Sequence, residues 1–207
     1  MIPFKADEIK FQLPSGWHEV SVGKYVEILK ASHDFVDVLS VMSGLDKDIW
    51  LQSKQNDVDI KIFPLIKWAW NTDELKKLPL PKEIKIKGVV CKVPKDLGFK
   101  SFGQKVLLSN EIKEGLEKPF HIDSCMSYAL AVYFYNDITG LKYDDEKARE
   151  FAKEIEKDIL ITDAYPIADF FLQKSIEYLH STMIVLSQQL PTKSSAQELK
   201  SLKSTES

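Results

Sequence analysis

Residues His121, Ile122, Asp123, Ser124 and Cys125 bring an imidazole, a carboxylate, a hydroxyl and a thiol close together along the chain. A cysteine becomes a nucleophile when tertiary geometry holds a base beside it and its surroundings favour the thiolate, and adjacency in sequence supplies neither. The same five residues read as a helix start, with Asp123 or Ser124 capping the first N–H groups and Cys125 packing inward. No catalytic residue is assigned. Metal chemistry finds no better footing. The histidines His18, His33, His121 and His180 have no paired spacing, and no H-E-x-x-H or Cys/His cluster accompanies them. Gly98-x-x-x-x-Gly103-Gln104-Lys105 departs from a phosphate loop, with glutamine at the lysine position, Lys105 one place late, and Val106 rather than a magnesium-binding hydroxyl after it. The sequence therefore implies no cofactor and no metal.

The lysines at 82, 85, 87, 92, 95, 100 and 105 are interleaved with Phe99 and Phe102. A basic hairpin carrying aromatics could track a nucleic-acid backbone. Alternation instead puts Lys85 and Lys87 opposite Ile84 and Ile86, on the solvated side of a half-buried strand, where lysines also discourage unwanted strand pairing. Lys85, Lys87 and Lys92 remain the residues that a second reading, a nucleic-acid-associated accessory protein, would use. Arg149 is the only arginine. Lysine is a hydrated point charge without arginine's two-point fork, so a dedicated phosphate or base reader is not the leading reading.

The aromatic residues suggest contact rather than catalysis. Trp68-Ala69-Trp70 and Tyr133-Phe134-Tyr135 each place rings on more than one side of a helix, Phe170 and Phe171 flank the apolar stripe of the long C-terminal helix, and something must cover the outward rings. Trp68, Trp70, Tyr133, Tyr135, Phe170 and Phe171 are the expected partner-binding residues, in a homo-oligomer or against another protein.

The elements that position these groups follow from periodicity. Glu8–Leu13 alternates, with Ile9, Phe11 and Leu13 on one face, and Pro14-Ser15-Gly16 ends it. Ser21, Asp34 and Asp46 can cap three helices, with Gly44 stopping the second. Residues 57–70 mix strand and helix periods, and Pro64 favours helix because it would break a strand ladder. EIKI and VVCKV flank Lys87-Gly88, the strongest hairpin signal in the chain, and residues 8–13 are the expected third strand. Helices are expected over 102–116, with Val106, Leu107, Ile112 and Leu116 inward, then over 125–137 and 143–158. Asp163–Leu190 is the longest helical pattern, apolar over more than half its circumference, with Pro166 in its first turn. The expected fold is α+β, mainly α: a helical domain over 1–190 with a small three-stranded antiparallel sheet, a long C-terminal helix, and a flexible Ser/Lys-rich tail over 191–207.

A chain of 207 residues, 44% hydrophobic and 29% charged, suits an ordinary folded protein, and a net charge of −3 gives no field to recruit nucleic acid or acidic lipid over its whole surface. Two distant cysteines make no disulfide framework, no signal peptide is evident, and the apolar runs fall short of the ~20 residues of a membrane span. A location in the cytoplasm of a host cell, in a virion, or both is expected.

The order of a strand, LPSGWHEVSVGKYVEIL (13–29), LSVMSGLD (39–46), the hairpin IKIKGVVCKVP, FGQKVLL (102–108) and DAYPIADFFLQ (163–173) resembles small proteins from the structural and morphogenesis gene blocks of tailed bacteriophages, of the tail-assembly-chaperone or virion-accessory sort. The resemblance implies no reaction and no cofactor. It implies a non-enzymatic protein that binds other virion or assembly proteins, and it supplies no site residues of its own.

Overall fold

The computed structural model describes residues 1–6, 9–96, 98, 102–116, 123 and 125–189. The expected tail over 191–207 and His121 lie outside these residues. The fold is α+β and mainly α, as the periodicity predicts, with one continuous apolar core.

The chain opens with a hairpin, β1 (Ile2–Ala6) antiparallel to β2 (Ile9–Leu13), in which Phe4 faces Phe11. A 3₁₀ turn at Trp17–Glu19 leads into α1 (Val22–Ala31), capped by Ser21. Next come α2 (Phe35–Ser43) and α3 (Lys47–Leu51). Asp34 accepts from the N–H groups of Val36 and Asp37, Asp46 from Asp48, and Gly44 closes α2 at a φ of 72°. Small polar caps and a left-handed glycine stop act locally, which is why their positions can be read directly from the residues.

Residues 55–70 stay helical but change their winding three times. Short α turns, α4 (Gln55–Asp57) and α5 (Phe63–Ile66), flank a π turn over Val58–Ile62, and a 3₁₀ turn follows over Lys67–Trp70. Pro64 accounts for the widened turn. In a regular α-helix its ring would press on the carbonyl of Ile60, and a π turn opens the coil at that level.

α6 (Asp73–Lys76) precedes the second hairpin, β3 (Glu83–Ile86) and β4 (Val89–Lys92), turned by Lys87 (φ 51°) and Gly88 (φ 80°). The expected three-stranded sheet does not form. β2 pairs with β1, and β3 with β4, in two separate sheets. Residues 1–6 supply a strand immediately beside 9–13, and closing a short loop costs less entropy than pairing across 70 residues.

The remaining helices are α7 (Phe102–Leu116), α8 (Met126–Thr139), α9 (Asp145–Asp158) and α10 (Ile161–Gln189). The centre of the fold is α8, in which every residue from Met126 to Tyr135 is buried. It packs on α9 and α10, with α7 against both α8 and α10. On α7 the inward stripe is Gln104, Leu108 and Ile112, whereas Val106 is exposed. The long helix α10 is unbroken, and it begins two residues before the expected start. Pro166 is consequently its sixth residue, beyond the first turn, so the Thr162 carbonyl loses its helical donor. Ala164, Ile167, Ala168, Phe171, Leu172 and Ser175 are wrapped by the protein itself, while Glu177, Tyr178, His180 and Ser181 are exposed.

Both halves of the chain are stitched together at residues 20–22. The Val22 N–H donates to the Ile159 carbonyl (3.0 Å), and the Ile161 N–H to that of Val20 (2.8 Å), around an antiparallel bridge between Ser21 and Leu160. No described helix is long and apolar enough to cross a membrane.

Candidate functional site

The six aromatic residues expected to meet a partner separate into two groups. Tyr133, Tyr135 and Phe171 are buried in the protein's own core, so the expectation that they face outward is corrected. Phe171 stacks on Tyr133, Tyr135 meets Tyr143 edge-on at 5.8 Å, and Phe170 is half-buried with its ring 5.7 Å from Phe171. The rings around α8 are covered by α7, α9 and α10, which is intramolecular cover that periodicity alone cannot distinguish from a partner. Trp68 is half-buried and sits edge-on to Trp17 at 4.8 Å, and its indole Nε1 finds no hydrogen-bond acceptor among the described residues.

Trp70 is different. It is 40% exposed and stacks on Phe35 with 5.9 Å between centroids and 18° between planes. Phe63, 44% exposed, completes a triangle at 5.6 Å from Phe35 and 6.0 Å from Trp70. The Trp70 indole N–H donates to the Ser32 carbonyl at 3.4 Å, which orients the ring across the end of α1. Ile60, three residues before Phe63, is 71% exposed. The π turn, α5 and the 3₁₀ turn thus present Ile60, Phe63 and Trp70 on the surface with Phe35 as backing. Sequence reasoning found Trp70 and missed Phe35, Phe63 and Ile60. The available signal was the spacing of Ile60, Phe63 and Trp70, three and seven residues apart along the helical stretch; Phe35, on α2, had no such signal.

The basic hairpin carries less free charge than its sequence suggests. Lys87 forms an ion pair with Glu154 on α9 and lies over the Phe151 ring at 5.5 Å. Lys92 stands directly opposite Glu83 in the strand register, and Lys85 opposite the exposed Val90.

The groups that could do chemistry are occupied structurally. Cys125 is buried, its sulfur 3.9 Å from the Glu111 carbonyl, and burial, with the charges of Glu111 and Glu114, pushes its thiol up to about 12. Asp123 does not cap α8. It accepts from the Tyr25 hydroxyl at 3.1 Å, and burial raises its carboxyl above the usual range. Gln104, at the lysine position of the phosphate-loop pattern, is a buried strut that donates to the Val132 carbonyl (2.8 Å) and to Asn136 Oδ1 (2.9 Å).

A serine, a histidine and a carboxylate do meet on the turn before α1. Ser15 Oγ lies 3.4 Å from His18 Nε2 and donates to Glu19 Oε2 at 2.8 Å. Glu19 also accepts from the Ser15 N–H at 2.7 Å and pairs with the Met1 ammonium, which is the main cause of its carboxyl falling to about 2. Here the carboxylate binds the serine directly rather than orienting the histidine, on open surface. The arrangement pins residue 1 to the turn and lacks the order of contacts that activates a hydroxyl.

The sole arginine also acts as a staple. Arg149 donates to Asp145 Oδ2 and to Glu111 Oε2, both at 3.1 Å, and covers the Tyr128 ring at 4.5 Å. Tyr128 and Tyr143 both donate to Asp145 Oδ1, at 2.5 and 3.0 Å. The Asp145 carboxylate thus ties α8 to α9, and Arg149 extends the link to α7 through Glu111. Among the described residues no group of three His, Cys, Asp or Glu side chains could hold a metal ion. Comparison with family models, curated proteins and solved structures returned no match.

Proposed function

We propose that this protein is a non-enzymatic assembly or virion-accessory protein of a tailed bacteriophage, acting through contacts with other virion or assembly proteins. The exposed Phe63, Trp70 and Ile60, backed by the half-buried Phe35, carry the reading. Large apolar rings left in water at adjoining positions mark a surface meant to be covered, and tryptophan and other aromatics anchor protein interfaces. The resemblance of the sequence to phage morphogenesis proteins supplies the class of partner.

The test is a Trp70→Glu/Phe63→Ser double variant, compared with the unaltered protein for co-purification with phage virion or assembly proteins. Loss of co-purification with an unchanged circular dichroism spectrum is expected. Undiminished co-purification overturns the reading. Salt-sensitive binding to random-sequence DNA, abolished when Lys85, Lys87 and Lys92 become glutamate, would replace it with the nucleic-acid-associated alternative.

A further inference from the structure

The first hairpin stands between two adjoining hollows of about 710 and 320 Å³ that share Phe4 and Phe11 as walls. The apolar part of their lining includes Phe4, Phe11, Met42 and Trp50, with Gln12, Ser43, Gln52 and Ser53 beside it. Among the described residues their rims carry Lys10, Lys24, Lys54 and Lys61 against one acid, Asp57, which is already paired with Lys61 at 2.6 Å. The whole chain has 31 acidic and 28 basic residues, so four lysines and one aspartate among the described rim residues run against its average. A recess with a greasy floor and a rim of one charge sign selects an occupant of the opposite sign.

We propose that these hollows hold an acidic–apolar segment of a partner protein, its carboxylates facing Lys10, Lys24 and Lys54 and a large apolar side chain seated on the Phe4–Phe11–Trp50 floor. The rings argue for a peptide over a nucleic acid. Phe11 meets Phe4 face-on, at 5.5 Å and 15°, and Trp50 edge-on, at 5.2 Å and 85°. Phe11 and Trp50 are only 8% and 6% exposed. The floor therefore offers ring edges against which an aliphatic or aromatic side chain packs, and little open face on which a base would stack. The lysines supply charge without the fork that reads phosphate at two points.

This surface shares no lining residue with the Trp70 triangle, although Lys61 and Ile62 lie between Ile60 and Phe63 along the chain. Selection of a random peptide library on the immobilised full-length protein tests it. Enriched peptides should carry Asp or Glu on either side of a large apolar residue and should bind less tightly as salt is raised. Their affinity should fall roughly tenfold or more with Lys10→Glu/Lys54→Glu, and by a smaller factor with Lys10→Gln/Lys54→Gln. Both lysines are exposed, so the melting temperatures should not move. The Trp70→Glu variant should bind the selected peptides as the unaltered protein does, which separates failure of this inference from failure of the functional proposal. No enrichment, enrichment of neutral or basic peptides, or equal binding by the Lys10→Glu/Lys54→Glu variant overturns it. So does tighter binding of a thymidine oligonucleotide that the same variant abolishes.

Discussion

Tyr133 and Phe171 lie face to face, 3.5 Å between ring centroids and 9° between planes, joining α8 to α10 in the middle of the core. Phe171 is fully buried, and its neighbour Phe170 only half so. Phe171→Ala should cost about 3–5 kcal/mol of stability by emptying that space. Phe170→Ala should cost clearly less. Chemical denaturation of the two variants checks the asymmetry, and equal costs would contradict the packing described.

Gly23 in α1 is predicted to resist enlargement. A side-chain carbon there would stand 3.0 Å from the Glu156 carbonyl oxygen of α9, a backbone atom with little freedom to move. Glycine weakens a helix by about 0.5–1 kcal/mol relative to alanine, and here the close approach of two helices is the compensation. Gly23→Leu should lower stability by about 1–3 kcal/mol through overpacking, measured by thermal melting.

The Asp145 cluster should make stability acid-sensitive over a defined window. Burial works to raise the Asp145 carboxyl, but hydrogen bonds from Tyr128, Tyr143 and Arg149 outweigh it and hold the group below its ordinary value. A carboxylate depressed on folding contributes stability that is complete above its unfolded value, about 3.9, and is lost as pH falls through the lower folded value. Asp145→Asn should therefore flatten the pH dependence of unfolding below pH 4 while lowering stability at pH 7. An unchanged acid limb in the variant would assign the acid sensitivity to other carboxylates.

The thiols should be silent in the folded protein. Cys91 and Cys125 are 2% and 1% exposed. At pH 8 a colorimetric thiol reagent should react with neither within minutes, and with both after denaturation, since burial denies it access to both and also disfavours the Cys125 thiolate. Rapid labelling of Cys125 in the native state would reopen a nucleophilic role for it.

These residues also show what was legible in the chain. The caps at Ser21, Asp34 and Asp46 and the Lys87-Gly88 turn were legible because they act within a few residues of themselves. The stripe on α9, from Ala148 to Ile155, was legible because its exposed side is almost wholly charged. The inward face of α7 was not, because a polar residue, Gln104, occupies its first position, and Leu107 beside Leu108 offers two apolar choices one residue apart. Strand pairing was misread for another reason: alternation reveals that a strand exists and says nothing of which strand lies beside it. The same limit applies to the candidate site. A ring's apolar character marks it for burial, but whether its own chain or a partner covers it depends on contacts across more than thirty residues, as between Tyr133 and Phe171.

The backbone seam between residues 20–22 and 159–161 carries a consequence for synthesis. On the ribosome, the first helix cannot acquire its last neighbours until some 140 further residues have been joined and have cleared the exit tunnel. Domain folding during translation generally proceeds from the first-made end, but here the late-made end completes it, so premature termination near residue 150 would release a product with Val22 and Tyr25 uncovered.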